Sequence, residues 1–320
     1  QGQNWAKAIA AFELAEAAGA TTTEVYQLRG QAKANSKDAA GAISDLEQAI
    51  AKGLKDRDTY LLLADLQYDN EQQSKAFTSY EQAVALQAVD ARIFLRMGLI
   101  RYAAQDYEVA RDLLIKAREI GDDDPEGAAA LGATYYALAS YEQALPLLQK
   151  IIASGKRDGA NYRMLGLSHY RTGQCTEAIR ALGAAITAGT EDQEILLAKG
   201  SCHYEAKQYP QAIADLEKAA ALGTTDATVY EQIGVAAWET RDYAKAVSNL
   251  SKAIEGGKED ATLYEYRGRA KQALEDTAGA MSDLSNAISL GAGTKENYLD
   301  LGNMQFDAEK KKRQGRQPKI

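Results

Sequence analysis

The sequence repeats with a period of 34 residues, and this period constrains the fold more than any other feature. Steps of 34 from Gly30 reach a small residue each time, here called the repeat glycine: Gly30, Ala64, Gly98, Gly132, Gly166, Gly200, Gly234, Gly268 and Gly302. Twelve residues after each of the first eight comes an alanine, and four further on comes a large residue. No insertion breaks the register, so the period predicts a stack of similar units that each contact only their neighbours.

Within one unit, the spacing predicts two antiparallel helices. Small residues at the repeat glycine and at the alanine let the helices approach closely, and the large residue fills the space between them. A further glycine ends each second helix in most repeats, as at Gly53 and Gly121, and it suits the left-handed residue that terminates a helix. An aspartate follows soon after, as at Asp56 and Asp90, and is suited to capping the next helix.

These positions resemble the tetratricopeptide repeat family. The similarity lies in the aromatic residue four before the repeat glycine and the Leu-Gly pair of Leu165 and Gly166. It also includes the alanine twelve residues after the repeat glycine, a second alanine in most repeats nineteen after it, as at Ala49, and the large residue between them. It covers nearly the whole chain, although the family's proline near the repeat end is replaced by glycine. The resemblance implies an all-α, right-handed α-solenoid (a superhelix) of 34-residue helix–turn–helix repeats.

The register divides the chain into four segments. Residues 1–22 are predicted to hold the second helix of a truncated first repeat, and residues 23–294 hold eight full repeats. Residues 295–312 are predicted to form a C-terminal capping helix, whose charged end suits the polar cap that a solenoid needs. Residues 313–320 form a basic tail that is predicted to be disordered.

Composition excludes several classes of partner. The formal net charge of −8 argues against nucleic acid as the main partner, and no stretch of the sequence is apolar enough to span a membrane. Two cysteines are too few for a disulfide framework, so the redox compartment stays open. Cytoplasm and a bacterial cell envelope or periplasm fit equally well.

The residues that most often carry chemistry cluster in two adjacent repeats: His169, Cys175, Cys202 and His203. Packed interior side chains are the favoured interpretation, with a zinc site or a Cys175–Cys202 disulfide as alternatives. No phosphate-binding loop, dinucleotide fingerprint or nucleophile elbow occurs in the sequence. We therefore predict no catalytic, cofactor-binding or metal-binding residues, and no enzyme.

In the tetratricopeptide family the first helix of each repeat lines a concave groove that holds peptides. Applied to this register, the resemblance predicts a central peptide-binding site with aromatic walls, a small floor and an arginine rim. Its candidate residues are Arg92, Arg96, Tyr102, Ala133, Tyr136, Arg163, Tyr170, Arg171 and Tyr204. Such a site suits a peptide with an acidic segment or a C-terminal carboxylate. Alternatively, the arginines only pair with Glu126 and other neighbouring acids.

The sequence thus favours a scaffold or adaptor that binds an extended peptide or partner-protein segment in the concave groove. Two alternatives stay open. The chain could be a structural protein that self-associates through its terminal helices. It could also be the recognition arm of a larger enzyme or complex whose catalytic part lies outside this chain.

Overall fold

The computed structural model describes residues 2–315, which form 18 helices and no strand. The helices are α1 (Gly2–Ala17), α2 (Thr23–Asn35), α3 (Ala39–Ala51), α4 (Arg57–Asp69), α5 (Gln73–Ala85), α6 (Ala91–Ala103), α7 (Tyr107–Ile120), α8 (Pro125–Ala137), α9 (Tyr141–Ala153), α10 (Gly159–Arg171), α11 (Cys175–Thr187), α12 (Gln193–Glu205), α13 (Tyr209–Ala221), α14 (Ala227–Glu239), α15 (Tyr243–Glu255), α16 (Ala261–Ala273), α17 (Thr277–Ser289) and α18 (Lys295–Gly315). The predicted all-α solenoid class is confirmed.

The chain divides into two compact units, with the boundary between residues 147 and 148, inside α9. Each unit is a row of packed helix pairs: α2 with α3, α4 with α5 and α6 with α7 in the first unit, and four pairs from α10 to α17 in the second. The last helix runs three residues beyond the predicted cap, to Gly315. The remainder of the predicted tail, residues 316–320, lies outside the described residues. Across residues 2–315, no helix combines the length and apolarity that a membrane crossing requires.

Helix ends follow the predicted chemistry. A glycine follows every second helix except α5, and its backbone angle φ is positive, +99° at Gly53 and +100° at Gly155, which is the left-handed conformation that favours glycine. After α5 the same position holds Gln87, with φ +65°. The side chain of Asp56 accepts a hydrogen bond from the backbone N–H of Thr59, and the other predicted caps act in the same way. These signals at the helix ends fix the length of most helices at 13 residues, which maintains the 34-residue period.

The repeat glycine brings the two helices of a pair into contact, as predicted. A Cβ atom added at Gly98 would lie 2.7 Å from Cγ of Leu114, and one at Gly166 would lie 2.9 Å from the backbone nitrogen of Leu182. The leucines are themselves fully buried, at 1% and 0% exposure. Any side chain at these glycines would therefore push the two helices apart.

The sequence analysis missed a buried charge cluster that recurs in three helix pairs. An aspartate in the second helix meets one basic residue just before the repeat glycine and another three residues after it. The clusters are Asp45 with Arg29 and Lys33, Asp215 with Lys199 and His203, and Asp283 with Arg267 and Lys271. The three carboxylates are nearly inaccessible, with side-chain exposures of 5%, 9% and 2%. In these three repeats, ion pairs thus take the place of apolar contacts between the two helices.

Asp45 should make the first unit sensitive to acid. Burial alone would raise the pKa of the Asp45 carboxyl, but Arg29 and Lys33 outweigh it and hold that pKa below its usual value. A lowered folded-state pKa contributes stability above the unfolded pKa of about 3.9, and that stability is lost as pH falls through the folded value. Urea denaturation of the parent and of Asp45→Asn should therefore differ most at pH 7, and the difference should shrink as pH falls below the unfolded pKa. A pH-independent difference would contradict this assignment.

The two cysteines are bonded, which corrects the favoured interpretation of separate packed side chains. Cys175 is the first residue of α11 and Cys202 lies in α12 of the following repeat, and their Cα atoms are 5.0 Å apart. In the next repeat the same two positions hold Tyr209 and Ala236, which meet in one apolar cluster. The two positions therefore face each other between neighbouring repeats, a relation that a spacing of 27 residues does not reveal.

Reduction of this disulfide should destabilise the α10–α12 region. Closing a loop between residues 27 apart in sequence is expected to contribute about 3.5 kcal/mol, mainly by restricting the unfolded chain. Amide hydrogen exchange with and without a reductant should show faster exchange in α11 and α12 after reduction, with α16 and α17 unchanged. Alkylation of both thiols in denatured, unreduced protein would contradict the bond.

Candidate partner-binding surface

One position of the first helices carries an aromatic residue in six consecutive repeats, four residues after the repeat glycine. We call these residues the aromatic ladder: Tyr68, Tyr102 and Tyr136 in the first unit, and Tyr170, Tyr204 and Trp238 in the second. All six side chains are partly exposed, so each ring keeps a surface that a partner can reach. The following repeat has Gln272, which is exposed, and α18 has Phe306, which is 70% exposed.

The second helix of the same repeat holds many ladder rings in place. The ring of Tyr204 lies 6.1 Å from that of Tyr209, and Trp238 lies 5.2 Å from Tyr243, centroid to centroid. Tyr102 and Tyr136 have the same support from Tyr107 and Tyr141. Rings that are already ordered lose little conformational entropy when a ligand packs against them.

Burial also sets the ionisation of ladder tyrosines. Burial is the main cause that raises the pKa of Tyr102. Burial, followed by the charge of nearby Glu231, raises the pKa of Tyr204 to about 12. Both phenols therefore stay protonated at neutral pH. Each can donate a hydrogen bond to a peptide carbonyl or accept one from a peptide N–H.

The candidate arginines of the first unit are paired with carboxylates from α4. Arg92 and Arg96 each place a guanidinium nitrogen 3.0 Å from a carboxylate oxygen of Asp65, and Arg96 also lies 3.2 Å from Asp69. The Arg96 guanidinium stacks over the ring of Tyr68 at 4.5 Å. Arg96 thus fills an aromatic and acidic corner of this surface, whereas Arg92 keeps 54% of its side chain exposed.

The candidate arginines of the second unit are also paired, with residues at the start of α12. Arg163 donates from Nε to Asp192 at 2.7 Å and from Nη2 to Glu194 at 2.6 Å. Arg171 donates to the same Glu194 at 3.2 Å and keeps 48% of its side chain exposed. The Glu126 partner considered from the sequence is not among these contacts.

The nine candidate residues fall in different units. Arg92, Arg96, Tyr102, Ala133 and Tyr136 belong to the first unit. The other four, Arg163, Tyr170, Arg171 and Tyr204, belong to the second unit. Ala133 is 9% exposed, so it contributes little surface of its own to a ligand.

The histidines and cysteines do not converge on a common centre. His169 Nδ1 lies 2.8 Å from the side-chain oxygen of Gln174, and His203 Nδ1 lies 2.8 Å from Asp215. Cys175 and Cys202 bond each other. Within residues 2–315 no three His, Cys, Asp or Glu side chains are placed to hold a metal ion.

A concave feature of the first unit lies between α3, α4 and α5. It is a cavity of about 620 Å³ whose wall is mainly apolar, with Ile50, Tyr60 and Leu63 among its lining residues. On its polar side, Ser79 donates to Gln67 at 2.7 Å and Lys75 pairs with Glu47 at 2.9 Å. The sequence analysis did not anticipate this cavity, which is lined in part by small side chains such as Ser74 and Ser79.

Two models described as tetratricopeptide repeat match the chain, over residues 163–227 and residues 227–255. Among curated proteins, no sequence matches significantly. One similar solved structure is the C-terminal part of a TPR repeat-containing protein from Cytophaga hutchinsonii, with 18% identity over 74% of this chain and 98% of that chain, and a TM-score of 0.46. A tetratricopeptide repeat protein from Parabacteroides merdae has 16% identity over 88% and 98%, with a TM-score of 0.40. PilF of Pseudomonas aeruginosa has 22% identity over 68% and 97%, with a TM-score of 0.41.

Proposed function

Because this chain belongs to the tetratricopeptide repeat family, we propose that it is a non-catalytic scaffold that holds an extended segment of a partner protein against the first helices of its repeats. The proposal rests on the aromatic ladder. Aromatic residues recur at this one position of the first helices in six consecutive repeats, and all six side chains are partly exposed. Partly exposed tyrosine and tryptophan are the residues most often found at the centre of protein interfaces.

A peptide selection tests this function. Peptides selected from a random library on the parent protein should bind Tyr102→Ala/Tyr204→Ala at least about tenfold more weakly, which corresponds to about 1.4 kcal/mol. The matched control is Leu222→Ala/Leu290→Ala, which removes exposed apolar side chains (58% and 47% exposed) away from the ladder. Equal affinity for the parent and the ladder variant, with a loss in the control, would reject the ladder as the binding surface.

A finer proposal concerns ligand chemistry at the candidate arginines. Arg92 and Arg171 are about half exposed although each already has a carboxylate partner, so an acidic segment can compete for their open faces. Peptides with Glu runs or a free C-terminal carboxylate should then lose affinity in Arg92→Ala/Arg171→Ala. Unchanged affinity in that variant would leave these arginines with a structural role only.

The disulfide bears on where the scaffold works. Disulfides persist in oxidising compartments and are rare in reducing cytosol. The Cys175–Cys202 bond therefore favours the cell envelope over the cytoplasm, the two compartments that composition leaves open.

A further inference from the structure

We infer that the surface formed by α12, α14 and α16 in the second unit binds arginine side chains of the partner segment. This inference rests on the proposed scaffold function and adds the chemistry of the ligand. It concerns two ladder residues, Tyr204 and Trp238, and the glutamate that directly follows each of them, Glu205 and Glu239.

In the first unit, an arginine of the chain itself occupies the equivalent aromatic and acidic site. There the ladder residue Tyr68 is followed by Asp69, and Arg96 from the next first helix stacks on the ring at 4.5 Å and pairs with Asp69 at 3.2 Å. An aromatic face and a carboxylate thus hold one guanidinium together. Cation–π attraction and a charge-assisted contact both favour that placement.

In the second unit the same aromatic and acidic pairs have no such arginine. Arg96 lies two residues before its repeat glycine, and the equivalent residues in α14 and α16 are Gln232 and Tyr266. Gln232 accepts a hydrogen bond from Ser201, and Tyr266 packs against Trp238 with ring centroids 6.0 Å apart. Neither supplies a positive charge to the neighbouring glutamate.

The two glutamates are available to a cation. Glu205 and Glu239 are exposed, and among the described residues neither makes an ion pair within 4.0 Å. The other carboxylates of this surface have their own partners, since Glu231 pairs with Lys258 at 2.7 Å and Glu265 with Arg269 at 2.9 Å. Glu205 and Glu239 therefore leave two negative charges on this surface without a paired cation.

The glutamates of this surface also act on its tyrosines. After burial, Glu231 is the next cause that raises the pKa of Tyr204, and Glu239 is the next cause for Tyr266. A field that disfavours the phenolate favours a cation. Arginine suits the site better than a compact ammonium, because its planar guanidinium stacks on a ring while its nitrogens reach a carboxylate.

The test uses the full chain and a defined probe: a fluorescein-labelled, end-blocked peptide with arginine and glycine alternating over eight residues. Fluorescence anisotropy should show saturable binding to the parent and about tenfold weaker binding to Glu205→Gln/Glu239→Gln. The matched control, Glu255→Gln/Glu259→Gln, removes the same charge from exposed residues outside this surface and should bind like the parent. A glutamate–glycine peptide should not distinguish the parent from Glu205→Gln/Glu239→Gln.

A second variant fills the two proposed positions from within the chain. Gln232→Arg/Tyr266→Arg supplies the missing guanidinium from within the chain, as Arg96 does in the first unit, and should abolish binding of the arginine peptide. Equal weakening in the Glu255/Glu259 control would overturn the inference by showing non-specific attraction, as would unchanged binding in Glu205→Gln/Glu239→Gln. If library-selected peptides still require Tyr204 in that case, the scaffold function stands and only the arginine preference fails.

Discussion

Replacing Asp215 by alanine is expected to destabilise its helix pair by about 3–5 kcal/mol, the usual cost of leaving a buried charge without its partner. Lys199 donates to both carboxylate oxygens of Asp215, at 2.9 and 2.8 Å, and the side chains of the two residues are 18% and 9% exposed. Without the aspartate, the ammonium must leave the interior or stay unpaired. Amide hydrogen exchange should show lost protection in α12 and α13, with α16 and α17 much less affected.

The matched control replaces the whole cluster by its apolar equivalents. At the same three positions, the repeat that begins with α8 has Leu131, Tyr135 and Leu147. The triple variant Lys199→Leu/His203→Tyr/Asp215→Leu should therefore be far more stable than Asp215→Ala, because it leaves no buried charge. Equal destabilisation in both would show that the cluster contributes through its shape and not through its charges.

Gly166→Val is expected to destabilise the α10–α11 pair by about 3 kcal/mol, at the upper end of the cost of overpacking a core. A Cβ atom there would lie 2.6 Å from Cδ2 and 2.9 Å from the backbone nitrogen of Leu182. Rotation of the leucine side chain cannot relieve the second contact, so the helices must separate. Urea denaturation should show a lower midpoint for the second unit.

Gly302→Val is the control, because Gly302 holds the same position in the repeat and a Cβ atom added there meets nothing within 4 Å. Valine has a higher helix propensity than glycine by a few tenths of a kcal/mol. This variant should therefore match or slightly exceed the parent in stability. A similar loss in both variants would mean that the repeat glycine is required by the helix backbone and not by close packing.

The sequence predicted those parts of the structure that depend on local signals in register. The Gly98–Leu114 contact, the Asp56 cap and the positive φ of Gly53 each follow from a residue type at a fixed spacing. The left-handed residue inside each helix pair escaped notice because its identity varies, with Lys37, Ala139 and Gly173 among its examples. Tertiary packing imposes the left-handed conformation at this position, so the position does not require one residue type.

Contacts between long or neighbouring side chains were harder to predict. The register places Arg96 on the first-helix face, but the choice of Asp65 and Asp69 as its partners depends on how far its side chain reaches into the preceding repeat. The buried cluster around Asp215 had a visible signal, two basic residues four apart followed by an aspartate, in three of the eight repeats. Charges at that spacing usually indicate a solvated helix face, so the signal was not recognised.

Site-specific photo-crosslinking tests the scaffold function most directly. A photo-reactive phenylalanine derivative placed at Gln272 would extend the aromatic ladder by one residue, at an exposed site whose own side chain is not aromatic. The matched control places it at Ala214, an exposed residue of the second helix α13. In cells of the native source, a partner protein crosslinked from Gln272 and not from Ala214 is the predicted result. Crosslinks from Ala214 alone would contradict binding at the first helices and move the interface to the opposite face.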